Sequence, residues 1–220
     1  GPRDSVGLTT VNIHRRGCLV TRTSPRTSHT AAETSALAIS EEHQDLADAV
    51  SGQLSRLDAL TQARATLADG TSNPADIWSA ASKLGWTGLA VAEAHGGSGA
   101  GLAELAVVLE CLGRQLAPGP FLPSVCAAVV IDRCAPSSVA AQLLPALVAG
   151  TSVAALGVAG TVSVNADLVA AGEHPAVLGS PEADLLVLAA GDDIVILGSK
   201  DDGVTVTALD SLDTTRSVGS

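Results

Sequence analysis

Apolar positions follow one period from Ser40 to about Gly150 and another from Ser152 onward. From Ser40, Leu46, Val50, Leu54 and Leu57 recur at the spacing of one helix face. Ser40 is a suitable N-cap, and Glu41 and Glu42 sit in the first turn, where the positive helix start favours acids. After the polar break "ADGTSN", the string "NPADIWSAASKLGW" predicts a second helix. Asn73 is its cap, Pro74 its first residue and Gly85 its stop; Ile77, Trp78 and Ala81 face inward, with Leu84 near the same stripe. A third helix carries Leu102, Leu105, Ala106, Leu109 and Leu112, and the prolines of "APGPFLP" end it. "SVCAAVVIDRC" and "SSVAAQLLPALVAG" predict two more, the last disturbed at Pro145 and ended near Gly150. Five helices make residues 39–151 an all-α domain.

At Ser152 the pattern changes. "VAALGV", "DLLVLAA", "DIVILG" and "GVTVTAL" are short apolar runs rich in β-branched residues, separated by the turn sequences "GDD" and "KDDG". "LLVLAAGDDIVIL" predicts a hairpin, and "GVTVTAL" alternates as a strand with one buried face. The expected fold class is α+β: the helical domain followed by a small or incomplete β-barrel-like domain over residues 152–220.

Composition narrows the function. The chain has 220 residues and is 46% hydrophobic, enough for a sizeable core. Its aromatics are confined to Trp78, Trp86 and Phe121, which weighs against base stacking on single-stranded nucleic acid. Residues 1–30 carry five Arg against the single acid Asp4, whereas the whole chain has a net charge of −11. Residues 1–38 therefore read as a basic, disordered arm, and the acidic remainder opposes binding to polyanions. No apolar run reaches the length of a membrane span. Cys18, Cys111, Cys126 and Cys134 show no C-x-x-C spacing, so no metal site is expected; Cys111 and Cys126 read as small core residues. The chain lacks a signal-peptide pattern, which points to the cytoplasm.

"EAHGGSGAG", Glu93 to Gly101, is the most conspicuous chemical signal. It fits neither a P-loop, since no Lys follows the glycines, nor a G-x-G-x-x-G dinucleotide fingerprint. "GGSGA" approaches a G-x-S-x-G elbow with Ser98 at its centre, which keeps a serine hydrolase as a distant alternative. His95 has no acid placed beside it in the sequence. The bland reading is a turn between helices.

The residues around this segment resemble the acyl-CoA dehydrogenase family. "LGWTGLAVAEAHGGSG" and "CLGRQLAPGPF" follow that family's "LGxxGLxVPExxGGxG" and "ELGRxLAPxPF", with Leu84, Gly85, Gly88, Leu89, Val91, Glu93, Gly96, Gly97 and Gly99 in register. Leu112, Gly113, Arg114, Ala117, Pro118, Pro120 and Phe121 match as well. "PEADLLVLAAGDDIVIL" and "LDSLDTTRSVGS" are similar to the family's middle domain, the matching positions being Ala183, Asp184, Asp213 and Arg216.

The resemblance implies an FAD-dependent enzyme that removes the α-proton of an acyl-CoA thioester with a glutamate while hydride passes from the β-carbon to the flavin. It also implies a homo- or hetero-oligomer with another acyl-CoA dehydrogenase-like subunit. In most members that base lies in a carboxy-terminal helical bundle that this sequence does not reach, so no catalytic residue is assigned here. Glu93 matches a structural "PE" position, with Ala92 in place of the proline. The family's "TEP…GSD" loop reads "LGVAGTVSVNAD" here, and its "W-[IV]-[TS]" run reads Ala176, Val177, Leu178. Gly157, Val158 and Thr161 are the remaining candidates for FAD contact, and weak flavin affinity is expected of this chain alone. The alternative is a non-catalytic assembly subunit of the same family.

Overall fold

A computed structural model describes residues 19–22, 40–69, 75–166 and 169–220, with the backbone alone for 19–22. Helix α1 (Glu41–Arg56) opens on Ser40, whose Oγ accepts from the His43 N–H at 3.4 Å while His43 Nδ1 accepts from the Ser40 N–H at 3.1 Å. This reciprocal cap has His43 where Glu or Gln is usual. Asp58 then takes a left-handed φ of 50°, and the chain restarts as α2 (Ala59–Asp69). A short polar side chain tolerates that conformation better than most, which is why one apolar run yields two helices. The five helices expected thereby become six.

Helix α3 (Ala75–Lys83) ends at Gly85, in the left-handed region at φ 75°. The proposed cap Asn73 and Pro74 lie outside the described residues. Ile77 and Ala81 are buried as expected, but Leu84 is 51% exposed. Helix α4 (Leu102–Arg114) buries Leu105, Val108, Cys111 and Leu112. Leu102 and Ala106, read as part of its stripe, are exposed instead. "LAELAVVLECL" is apolar almost all round, so periodicity alone leaves its orientation underdetermined, and packing against α1 decides it. Helices α5 (Phe121–Cys134) and α6 (Ser137–Val148) complete the set, with Pro145 inside α6.

The strands form a seven-stranded sheet in the order β1-β7-β6-β2-β5-β9-β8. These are β1 (Leu19–Arg22), β2 (Ala154–Gly157), β5 (Val177–Leu178), β6 (Leu185–Ala190), β7 (Asp193–Gly198), β8 (Ala208–Leu209) and β9 (Val218–Gly219). A separate ribbon pairs β3 (Ser163–Val164) with β4 (Ala170–Ala171). The expected hairpin is β6–β7, antiparallel from Leu185↔Gly198 to Ala190↔Asp193. β2 pairs β6 in parallel and every other pairing in the sheet is antiparallel.

Two strand expectations need correction. Residues 19–22, inside the arm read as disordered, pair with β7, whose edge backbone groups would otherwise lack a ladder. "GVTVTAL" contributes only Ala208–Leu209 to the sheet. Its alternation survives in burial, since Val204 and Val206 pack on the β core while their neighbours are exposed.

The helices and the sheet share apolar packing. Val91, Ala127, Ala128, Ile131, Leu144 and Leu147 form one buried cluster with Ala154, Val187 and Ile196. Within it Ser124, 4% exposed, donates its hydroxyl to the Ala154 carbonyl at 3.0 Å and accepts from the Ala154 N–H at 3.1 Å.

Candidate functional site

The loop leaving β2 holds the three residues expected to approach a cofactor. It closes on a pair from the segment before β5, Glu173 and His174. Thr161 donates its N–H to the Glu173 carbonyl at 2.7 Å, and its hydroxyl accepts from the Glu173 N–H at 3.1 Å. His174 is 5% exposed and donates from Nε2 to the Ala189 carbonyl at 3.0 Å. Because a carbonyl can only accept, the proton is on Nε2, and Nδ1 remains buried without a partner.

Two glycines make room for that ring. A Cβ on Gly157 would lie 2.8 Å from His174 Nδ1, and one on Gly160 would lie 2.6 Å from His174 Cγ and 2.6 Å from the Glu173 carbonyl oxygen. The structure thus gathers Gly157 and Thr161 around Glu173 and His174, whereas Val158 is 73% exposed. His174 escapes a sequence reading because it belongs to no motif and shares no period with this loop.

This arrangement can be tested against FAD. A flavin needs a flat apolar or aromatic surface for its ring and free donors at its rim. The glycine hollow is filled by His174, and the Thr161 hydroxyl is already bonded to Glu173. Val177 of β5 is buried, and Leu178 and the preceding Ala176 are exposed without a hydroxyl or an indole. These residues do not fit FAD held by this chain alone.

The glycine segment between α3 and α4 is a tightly knotted turn. The N–H groups of Ser98, Gly99 and Ala100 return to the carbonyls of Gly88, Val91 and Leu89 at 3.0, 2.9 and 2.9 Å. A Cβ on Gly97 would collide with the Val91 carbonyl, so this close backbone approach requires glycine. The segment rests on α6: Thr87 donates to the Val148 carbonyl at 2.6 Å, and Gly88 faces the Val148 side chain.

His95 does have an acid partner, contrary to the sequence reading. Its Nδ1 lies 2.8 Å from Asp132 Oδ1 on α5, with both side chains mostly buried. A separation of 37 residues hides that pairing from any local pattern. Ser98 is exposed and makes no hydrogen bond to His95 among the described residues, so the hydrolase alternative lacks its nucleophile-to-base link.

The other matched positions have structural partners. Asp184 accepts from the Val153 N–H at 2.9 Å and the Ser152 hydroxyl at 3.2 Å, pinning the entry to β2 beside the start of β6. Asp213 accepts from the Thr215 N–H at 3.0 Å and from the Thr215 hydroxyl. Glu93 is exposed. Cys111 is buried, and burial pushes the Cys126 thiol above its ordinary value, away from nucleophilic behaviour. Among the described residues no group of His, Cys, Asp and Glu could hold a metal ion, and no helix is long and apolar enough to cross a membrane.

The comparisons with known proteins agree with this architecture. The family described as "Acyl-CoA dehydrogenase, N-terminal domain" matches residues 40–151. The ChsE4-ChsE5 complex from Mycobacterium tuberculosis is similar with a TM-score of 0.72 and 26% identity, over 83% of this chain and 53% of that one. The "Tcur3481-Tcur3483 steroid ACAD G363A variant" shares the fold with a TM-score of 0.70 and 24% identity, over 83% of this chain and 55% of its own. An acyl-CoA dehydrogenase complexed with FAD from Bacillus anthracis shares it with a TM-score of 0.63 and 20% identity, over 82% and 35%. No curated protein matches the sequence. This chain spans about half the length of the first solved structures it matches. With the family's amino-terminal domain matched across half its residues and the strands after it following the same fold, the chain belongs to the acyl-CoA dehydrogenase family.

Proposed function

We propose that this chain is one part of an FAD-dependent acyl-CoA dehydrogenase that introduces an α,β double bond into an acyl-CoA thioester. In this reading the flavin is held mainly by groups outside the chain, on further sequence or on a second acyl-CoA dehydrogenase-like subunit. The observation that carries the division is the closure of the Gly157–Thr161 loop on Glu173 and His174. It leaves the chain with the family fold and without a free flavin-facing donor set. Of the three candidates Gly157, Val158 and Thr161, the exposed Val158 is the position proposed to approach the flavin, since Thr161 is bonded to Glu173 and Gly157 is packed against His174. The complex of two proteins among its relatives, ChsE4-ChsE5, supports a heteromeric arrangement.

The reading is tested by visible absorbance. The chain is purified alone and together with an acyl-CoA dehydrogenase-like subunit encoded beside it, and excess FAD is removed by gel filtration. The chain alone should be colourless, and the complex should retain a flavin spectrum that bleaches on addition of an acyl-CoA. Flavin retained by the chain alone would overturn the proposed division. A colourless complex would overturn the dehydrogenase reading and leave the non-catalytic assembly subunit.

A further inference from the structure

Between α4, the start of α5 and the segment before β9 lies a cavity of about 100 Å³, lined by Leu109, Leu112, Ala117, Phe121, Leu122 and Arg216, with Gly119 at its wall. Arg216 is half-buried and makes no hydrogen bond or ion pair among the described residues. The acids nearest it in the chain and at its neighbours are bonded to other groups. Asp213 accepts from Thr215, and Glu182 accepts from the Ser217 hydroxyl at 3.0 Å. A guanidinium removed from part of its water without an acceptor is costly, and it is an efficient receptor for a planar anion.

The surroundings hold it in place. The Gly119 N–H donates to the Thr215 carbonyl at 3.0 Å, tying the loop after α4 to the residue before Arg216. In that loop Leu116 adopts a left-handed φ of 51°, a strained conformation for a leucine. The Asp213 side chain accepts from the Thr215 N–H and so fixes the turn that leads into Arg216.

We propose that this cavity binds a short-chain carboxylate, with the carboxyl group on Arg216 and the alkyl tail among Leu109, Leu112, Phe121 and Leu122. One cation matches a monoanion. A phosphate dianion would have to be stripped of water against leucine and phenylalanine with half its charge unmatched. The volume admits a few carbon atoms and excludes a nucleotide-bearing thioester, so the site is separate from the acyl-CoA reading and does not rest on it.

Butyrate is the probe, with butanol and butylamine as controls, and binding is followed by NMR on the leucine methyl groups of the full chain. Butyrate should shift the methyls of Leu109, Leu112 and Leu122 saturably; the controls should not. Arg216→Gln should weaken butyrate by about tenfold or more, since a hydrogen bond to a charged group is worth about 1.5–3 kcal/mol, and Arg216→Lys should restore part of the loss. Ala117→Phe, which fills the cavity and keeps the guanidinium, should abolish saturation. Circular dichroism checks that each variant is folded. Equal binding of butanol, or butyrate affinity unchanged in either Arg216→Gln or Ala117→Phe, overturns the site; shifts that grow linearly without saturation also overturn it, as non-specific contact.

Discussion

One hydroxyl, that of Ser124, satisfies both the N–H and the C=O of Ala154 in the buried seam between α5 and β2. Alanine at position 124 would leave two buried backbone groups unpaired, each costing about 1–3 kcal/mol less whatever relaxation or water recovers. Ser124→Ala should therefore lose about 2 kcal/mol or more and lower Tm by roughly 2–4 °C per kcal/mol. Urea and thermal unfolding followed by circular dichroism check this, and a loss below about 0.5 kcal/mol would show that the seam is not held by this pair.

Substitutions at two glycines should act in opposite directions. A methyl at Gly160 meets the Glu173 carbonyl and the His174 ring, so Gly160→Ala should destabilise by about 1–3 kcal/mol through overpacking. Gly113, inside α4, has nothing within 4 Å of a new Cβ. Gly113→Ala should stabilise by about 0.5–1 kcal/mol through helix propensity. The two midpoints in denaturant should move to either side of the parent.

Glu104 should contribute to acid sensitivity. Its carboxyl is held below the ordinary value, first by a hydrogen bond from its own backbone N–H at the start of α4 and further by His43, whose Nε2 lies 3.2 Å from Oε1. A depressed carboxylate adds stability above its unfolded pKa of about 4.3, and that stability is lost as pH falls through the lower folded value. The Tm difference between parent and Glu104→Gln should be largest near neutrality and should shrink below about pH 4. A difference that stays constant with pH would show that the substitution acts through packing alone.

Leu116 offers a relief of strain. Its left-handed backbone costs a leucine about 1–2 kcal/mol, and its side chain is 54% exposed, so little packing is lost on removal. Glycine forfeits about 0.5–1 kcal/mol of unfolded-state entropy, leaving Leu116→Gly with a gain of up to about 1.5 kcal/mol. A drop in Tm would mean that the leucine side chain supports the loop after α4.

The parts of this fold that were legible in the sequence are those encoded by near neighbours. The Ser40 cap, the Gly85 stop, the β6–β7 hairpin and the glycine turn each fall on one contiguous run that carries its own signal. The family resemblance was readable for the same reason, since its motifs are contiguous. What escaped depends on pairs that no contiguous signal joins. The His95–Asp132 contact, the double bond of Ser124 to Ala154, the parallel register of β2 on β6 and the burial of His174 under Gly157 and Gly160 join positions with no shared period. Orientation within α4 escaped differently: its apolar residues spread beyond one face, so packing against α1 decides which of them are covered.

The buried cluster that joins α5 and α6 to β2, β6 and β7 also sets an order in time. A ribosome delivers the helices first, and Ala127, Ile131, Leu144 and Leu147 then have no sheet to meet until the chain has grown through Ile196. At about 5–20 residues per second that interval is roughly 2–10 s, long enough for an uncovered apolar face to meet a chaperone or another nascent chain.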